Sequence, residues 1–73
     1  MVEKAEEYLK ECGLSEVRVR CQGLTARIEI PQKELKGFFY KFNFNDLVQY
    51  FSSLGFNCTS LDLEGLISGK LNR

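Results

Sequence analysis

Three arginines are the residues of this chain best suited to bind something. Arg18 and Arg20 stand in Val17-Arg18-Val19-Arg20-Cys21, and Arg27 stands in Thr25-Ala26-Arg27-Ile28-Glu29-Ile30. In both runs apolar residues alternate with polar ones. That pattern predicts two strands with one apolar face, and the arginines share the other face. Guanidiniums gathered in this way suit phosphate or carboxylate, because the planar fork gives bidentate hydrogen bonds. Glu16 and Glu29 belong to the same face. As diagonal neighbours they could instead neutralise the arginines and make a solvated charge ladder. Residue types alone leave both readings open.

A second set of candidates is acidic. Asp62 is expected opposite Leu61 and Leu63, with Glu64 at the strand's exit, while Glu6 and Glu7 belong to an N-terminal helix. Carboxylates at a strand end can hold Mg²⁺ through its waters. Their ordinary use is solvation or ion pairing, and the spacing does not define a metal site. The segment Gly65-Leu66-Ile67-Ser68-Gly69-Lys70 echoes a phosphate loop. A Walker loop needs a longer glycine spacing and a helix after it. The aromatic run from Phe38 to Phe44 has few basic residues, which argues against stacking on single-stranded nucleic acid. It fits core packing plus an exposed apolar patch for a partner.

Catalysis by the chain alone is not expected. There is no histidine, so the usual general base near neutral pH is missing and no serine has an activating partner. Ten basic and ten acidic residues cancel. A neutral chain is a poor electrostatic match for nucleic acid and is inclined to associate. Cys12, Cys21 and Cys58 are odd in number and widely spaced. That indicates neither a zinc site nor a disulfide framework, so all three are expected reduced and mostly buried, in the cytoplasm. No signal peptide is visible, and no apolar run approaches the roughly 18 residues of a spanning helix.

The elements that must position these residues follow from periodicity. Val2, Ala5, Leu9 and Cys12 recur at helical spacing over residues 2–12, and Gly13 suits the helix end. Residues 16–30 read as a β-hairpin. A turn at Gln22-Gly23 would pair Cys21 with Leu24, Val19 with Ala26 and Val17 with Ile28. It would also set Arg18 opposite Arg27. Pro31 opens a short helix near residues 32–38. An aromatic linker follows, and Asn45 is placed to cap a second long helix with Leu47, Val48, Phe51 and Leu54 on its apolar stripe. Residues 57–63 form the last strand. Residues 1–73 are thus expected as a single small α+β domain of two layers. Its three-stranded sheet is a β-hairpin plus a third strand after a right-handed helical crossover, covered by helices on one face. Strand order is left open. So short a chain buries only about 60% of its unfolded surface, which favours a partner.

The order of several short motifs carries a resemblance. They are Glu16-Val17-Arg18-Val19-Arg20, Gly23, Ala26-Arg27-Ile28-Glu29-Ile30-Pro31, Leu54-Gly55-Phe56, Leu61-Asp62-Leu63-Glu64-Gly65 and Ser68-Gly69. Together they resemble the C-terminal domain of the ATP-dependent sacrificial sulfur transferase (LarE) family, of the PP-loop ATP pyrophosphatase superfamily. The opening Val2-Glu3-Lys4-Ala5-Glu6-Glu7-Tyr8-Leu9 resembles that family's lead-in helix. The family usually has histidine after the second arginine, where this chain has Cys21-Gln22.

The resemblance implies a larger enzyme that adenylates a carboxylate with ATP and Mg and then transfers sulfur from a cysteine. Its N-terminal PP-loop ATP-binding domain would be the partner of this one, within a homo-oligomer, with no role for nucleic acid or membrane. Arg18 and Arg20 match the two arginines of the family's anion site, and Arg27 joins them by strand pattern. Glu6 is a weaker match to an acidic active-site position, and Asp62 is the other acidic candidate. No cysteine here matches the sulfur donor's motif. The rival expectation is a free-standing interaction or oligomerisation module without enzymatic activity.

Overall fold

The computed structural model describes residues 1–66. Ser68, Gly69 and Lys70 of the phosphate-loop echo lie outside the described residues. The first helix, α1 (Val2–Glu11), turns Ala5 and Leu9 inward. Glu3 in its first turn and Lys10 in its last complement the helix dipole. Strands β1 (Arg18–Gln22) and β2 (Thr25–Glu29) form the antiparallel hairpin. After Pro31 come a 3-10 turn (Gln32–Glu34), α2 (Leu35–Lys41), α3 (Phe44–Ser53) and β3 (Cys58–Leu61). The sheet order is β1-β2-β3, and β3 runs parallel to β2. The expected α+β fold is therefore observed, with β2 in the middle.

The hairpin register differs from the expected one. Arg18 pairs with Glu29, Val19 with Ile28, Arg20 with Arg27, and Cys21 with Ala26. The turn is Gly23-Leu24, not Gln22-Gly23. Gly23 has φ +59°, and no residue other than glycine has positive φ among the described residues. Glycine at the first central position of a two-residue turn is the type II′ requirement, and such a turn matches strand twist. Shifting the pairing by two residues keeps the strand side chains on their expected faces but moves Leu24 out of the ladder into the turn, where it is half exposed. It does change which charges meet.

The helices bury one face of the sheet. Val19, Ala26 and Ile28 lie under Leu9 of α1, Phe38 of α2, and Leu47 and Phe51 of α3, all within one buried cluster. Tyr8 stacks on Tyr50 with ring centroids 4.4 Å apart, tying α1 to α3. Burial, followed by Cys12 and Asp46 nearby, pushes the Tyr8 phenol above its ordinary pKa. The aromatic run is not a linker. Phe38 lies in α2 and packs on Phe42 at 4.6 Å and on Phe44 at 5.9 Å, so the run forms the corner between α2 and α3.

The cap of α3 is Asn43 rather than Asn45. The Asn43 Oδ1 accepts a hydrogen bond from the Asp46 N–H at 3.1 Å. Asn43 has extended backbone, as a capping residue needs, whereas Asn45 is already inside the helix. Asn43→Ala should therefore lower stability by about 1 kcal/mol in urea denaturation, and Asn45→Ala should change it little.

Candidate functional site

The arginine face is the side of the sheet turned away from the helices. Ala26 and Ile28 of the central strand enter the core, which places Arg27 and Glu29 on the opposite side. Cross-strand pairing puts Arg20 directly opposite Arg27. Two like charges in that position repel. Glu29 offsets the repulsion. Its Oε1 accepts from the Arg20 Nε at 3.2 Å, and its Oε2 lies 3.2 Å from the Arg27 Nη2. The Glu29 residue is only 2% exposed. A buried carboxylate held between two guanidiniums is a fixed strut rather than a member of a solvated ladder.

Asp62 closes the other side of Arg27, with its Oδ2 4.0 Å from the Arg27 Nε. The backbone holds it there. The Asp62 N–H donates to the Ile28 carbonyl at 2.9 Å, and its Oδ1 accepts from the Glu64 N–H at 3.0 Å. The loop beyond returns to the end of β2, where the Leu66 N–H donates to the Ile30 carbonyl at 2.8 Å. Gly65 makes that return possible. Its φ is +81°, and an added Cβ would come within 2.5 Å of the Ile30 oxygen. Gly65→Ala should therefore cost about 2 kcal/mol or more, read by thermal unfolding, and should loosen Asp62 from Arg27.

Arg18 completes the face. It lies opposite Glu29 in the register and is exposed. Among the described residues it forms no ion pair. Arg18, Arg20 and Arg27 face two carboxylates here, Glu29 and Asp62, while Glu16 lies just before β1 and is exposed. An arriving anion meets two guanidiniums already ordered by Glu29 and a third that is exposed to water. Preorganisation of this kind lowers the ordering cost of binding.

The two acidic candidates do not meet. The Glu6 Oε2 accepts a hydrogen bond from the Val19 N–H at 2.9 Å, at the outer edge of β1. Asp62 follows β3, at the opposite edge of the sheet. Among the described residues no group of three or more His, Cys, Asp or Glu is placed to hold a metal ion. The cysteines also differ from expectation, since Cys12, Cys21 and Cys58 are all free and exposed. Cys12 falls just past the end of α1, Cys21 flanks the hairpin turn, and Cys58 opens β3. Each sits at an element end, where the core does not reach. The Cys21 Sγ donates to the Gly23 carbonyl at 3.2 Å.

Glu29 is the residue whose importance the sequence understates. Alternation marks it as a polar-face residue, no different from Glu16. Its one distinguishing signal is its place in a strand flanked by arginines two positions before it and across the hairpin.

No family model matches the chain. It is 46% identical over 72 residues to an uncharacterized protein of Synechocystis sp. (strain ATCC 27184 / PCC 6803 / Kazusa), a match covering 99% of this chain and 27% of that protein. It is 44% identical over 69 residues to the pyridinium-3,5-bisthiocarboxylic acid mononucleotide synthase of Lactiplantibacillus plantarum, covering 93% of this chain and 24% of the synthase. The chain spans about a quarter of the length of the curated relatives it matches. The similarity to the synthase fits a segment of a larger enzyme of that kind.

Proposed function

We propose that the chain acts as the C-terminal portion of a PP-loop, ATP-utilising sulfur-transferase-like enzyme. In this reading it supplies an arginine anion site and an association surface and is not catalytic alone. The carrying observation is the 44% identity to the thiocarboxylic acid synthase over 93% of the chain. The anion would be the phosphate of a mononucleotide, the group named in that relative's product. Arg18 would contact it, with Arg20 and Arg27 held in place by Glu29. The complete enzyme would be cytoplasmic. Among the described residues no helix is long and apolar enough to cross a membrane.

ATP and Mg²⁺ belong, in this proposal, to the rest of the enzyme. Gly65 is committed to its close approach to the Ile30 carbonyl and is not free to cradle the phosphates of ATP. The test is a graft of this chain into the Lactiplantibacillus plantarum synthase in place of the segment it matches. The graft should retain synthase activity, and the same graft carrying Arg18→Ala should lose most of it. A folded graft without activity would favour the rival reading, an association module.

A further inference from the structure

The strand registers lay out the arginine face as rows that cross the sheet. Arg20, Arg27 and Ser60 stand side by side on β1, β2 and β3. One row nearer the hairpin turn stand Gln22, Thr25 and Cys58. The charges of this face lie in the Arg20 row or beyond it, toward Ile30, and the turn row carries none. The two ends also differ in access. Beyond the arginines the chain closes on itself, since Glu29 is buried and the Leu66 N–H donates to the Ile30 carbonyl. At the turn end Gln22 and Cys58 are exposed, and Thr25 and Ser60 are partly so. The Ser60 hydroxyl donates to the Ala26 carbonyl at 3.4 Å, which leaves its oxygen lone pairs to accept.

We infer that the neutral row reads the sugar of a ligand whose phosphate sits on the arginines, with Gln22 and Thr25 as the residues that tell a ribose 5-phosphate group from phosphate alone. The inference rests on the anion site proposed above and adds the class of ligand that the site takes. Two residues along a strand span about 7 Å. That is the scale separating the phosphorus of a 5′-monophosphate from its ribose hydroxyls. With the phosphate on Arg18, Arg20 and Arg27, the closed end stops the ligand from extending toward Ile30. The rest of it runs toward the turn. There it meets the Gln22 amide and the Thr25 hydroxyl, which both donate and accept hydrogen bonds. Sugar hydroxyls do the same and need no charge opposite them. A carboxylate in that row would repel the nearby phosphate, and a cation would compete for it. A neutral row does neither, so the ligand has one orientation, phosphate on the arginines and sugar toward the turn.

Two NMR titrations of the chain test it, one with inorganic phosphate and one with ribose 5-phosphate. Both should shift the Arg18 side chain. Only ribose 5-phosphate should also shift the Gln22 side-chain amide and the Thr25 backbone amide. It should bind about tenfold more tightly than phosphate, the worth of roughly two hydrogen bonds. Gln22→Ala and Thr25→Val, each checked for an unchanged circular dichroism spectrum, should remove most of that margin and leave the affinity for inorganic phosphate as it was. 2-Deoxyribose 5-phosphate, with one hydroxyl fewer, should fall between the two ligands. Equal affinities for phosphate and ribose 5-phosphate would overturn the inference and leave the anion site standing. So would a margin untouched by both variants. No saturable binding of either ligand would overturn the anion site and this inference together.

Discussion

Glu29→Ala is expected to destabilise the domain by about 3 kcal/mol, measured by urea denaturation. The carboxylate is the common partner of Arg20 and Arg27, which face each other across the hairpin. Removing it leaves two guanidiniums in repulsion, one of them largely buried. The Arg27 side chain is 21% exposed and the Arg20 side chain 36% exposed. Arg20 can therefore turn partly into water, which holds the loss toward the low end of the 3–5 kcal/mol range for a broken buried pair. Glu29→Gln keeps the volume and one acceptor and should cost less. Arg27→Met combined with Glu29→Met should recover much of the loss, because an apolar pair carries no desolvation cost. A Glu29→Ala cost under 1 kcal/mol would mean that the carboxylate is not the strut of this face.

Phe51→Ala should have the largest effect of any core truncation, about 4 kcal/mol. Phe51 is fully buried and sits where α1, α3 and the start of β3 converge. Its ring lies 5.7 Å from Phe56 and 6.5 Å from Tyr8. The cavity left behind cannot collapse easily, because its walls belong to three separate elements. A domain of this size has only about 4–11 kcal/mol of total stability to lose. The variant should show a far lower denaturation midpoint, or no cooperative transition at all. Phe39→Ala, at a half-exposed rim position, is the control and should be close to neutral.

The sheet's two faces were legible because alternation is a local property. Val17, Val19, Ala26 and Ile28 are buried as the pattern predicts. The register was not legible from the same pattern. Cys21 with Leu24 and Cys21 with Ala26 are both apolar pairs, so hydrophobicity cannot separate pairings two residues apart. The turn decides, through the positive φ of Gly23. The third strand was readable in part: Leu61 packs against the core and Asp62 lies on the charged side, but the strand ends at Leu61, and Leu63, expected on the apolar face, is 69% exposed in the turn beyond. Its parallel pairing with β2 came only with the structure.

The site was legible in its residue types and not in its arrangement. Arg20, Arg27 and Asp62 do gather on one face. The burial of Glu29 depends on the central position of β2 and on the loop that Gly65 folds back onto it, and neither is written in the local pattern. Glu6 shows the same limit. Its helix position was readable, but its hydrogen bond to the Val19 N–H required knowing that α1 runs along the β1 edge. Cys12 is exposed because α1 ends at Glu11, Cys21 lies at the turn end of the hairpin, and Cys58 shares the outer face of the sheet with Ser60 and Arg27.

The central claim is that Glu29 presents a set of arginines to a phosphate-like anion. Its most direct test is a titration of the chain with inorganic phosphate, followed by NMR of the arginine side chains. The account predicts saturable shifts at Arg18, Arg20 and Arg27, weaker binding in Arg18→Ala, and weaker binding in Glu29→Gln, where the charge that holds Arg20 and Arg27 together is gone. Unsaturable or absent shifts at all three arginines, with Arg18→Ala and Glu29→Gln indistinguishable from wild type, would contradict it.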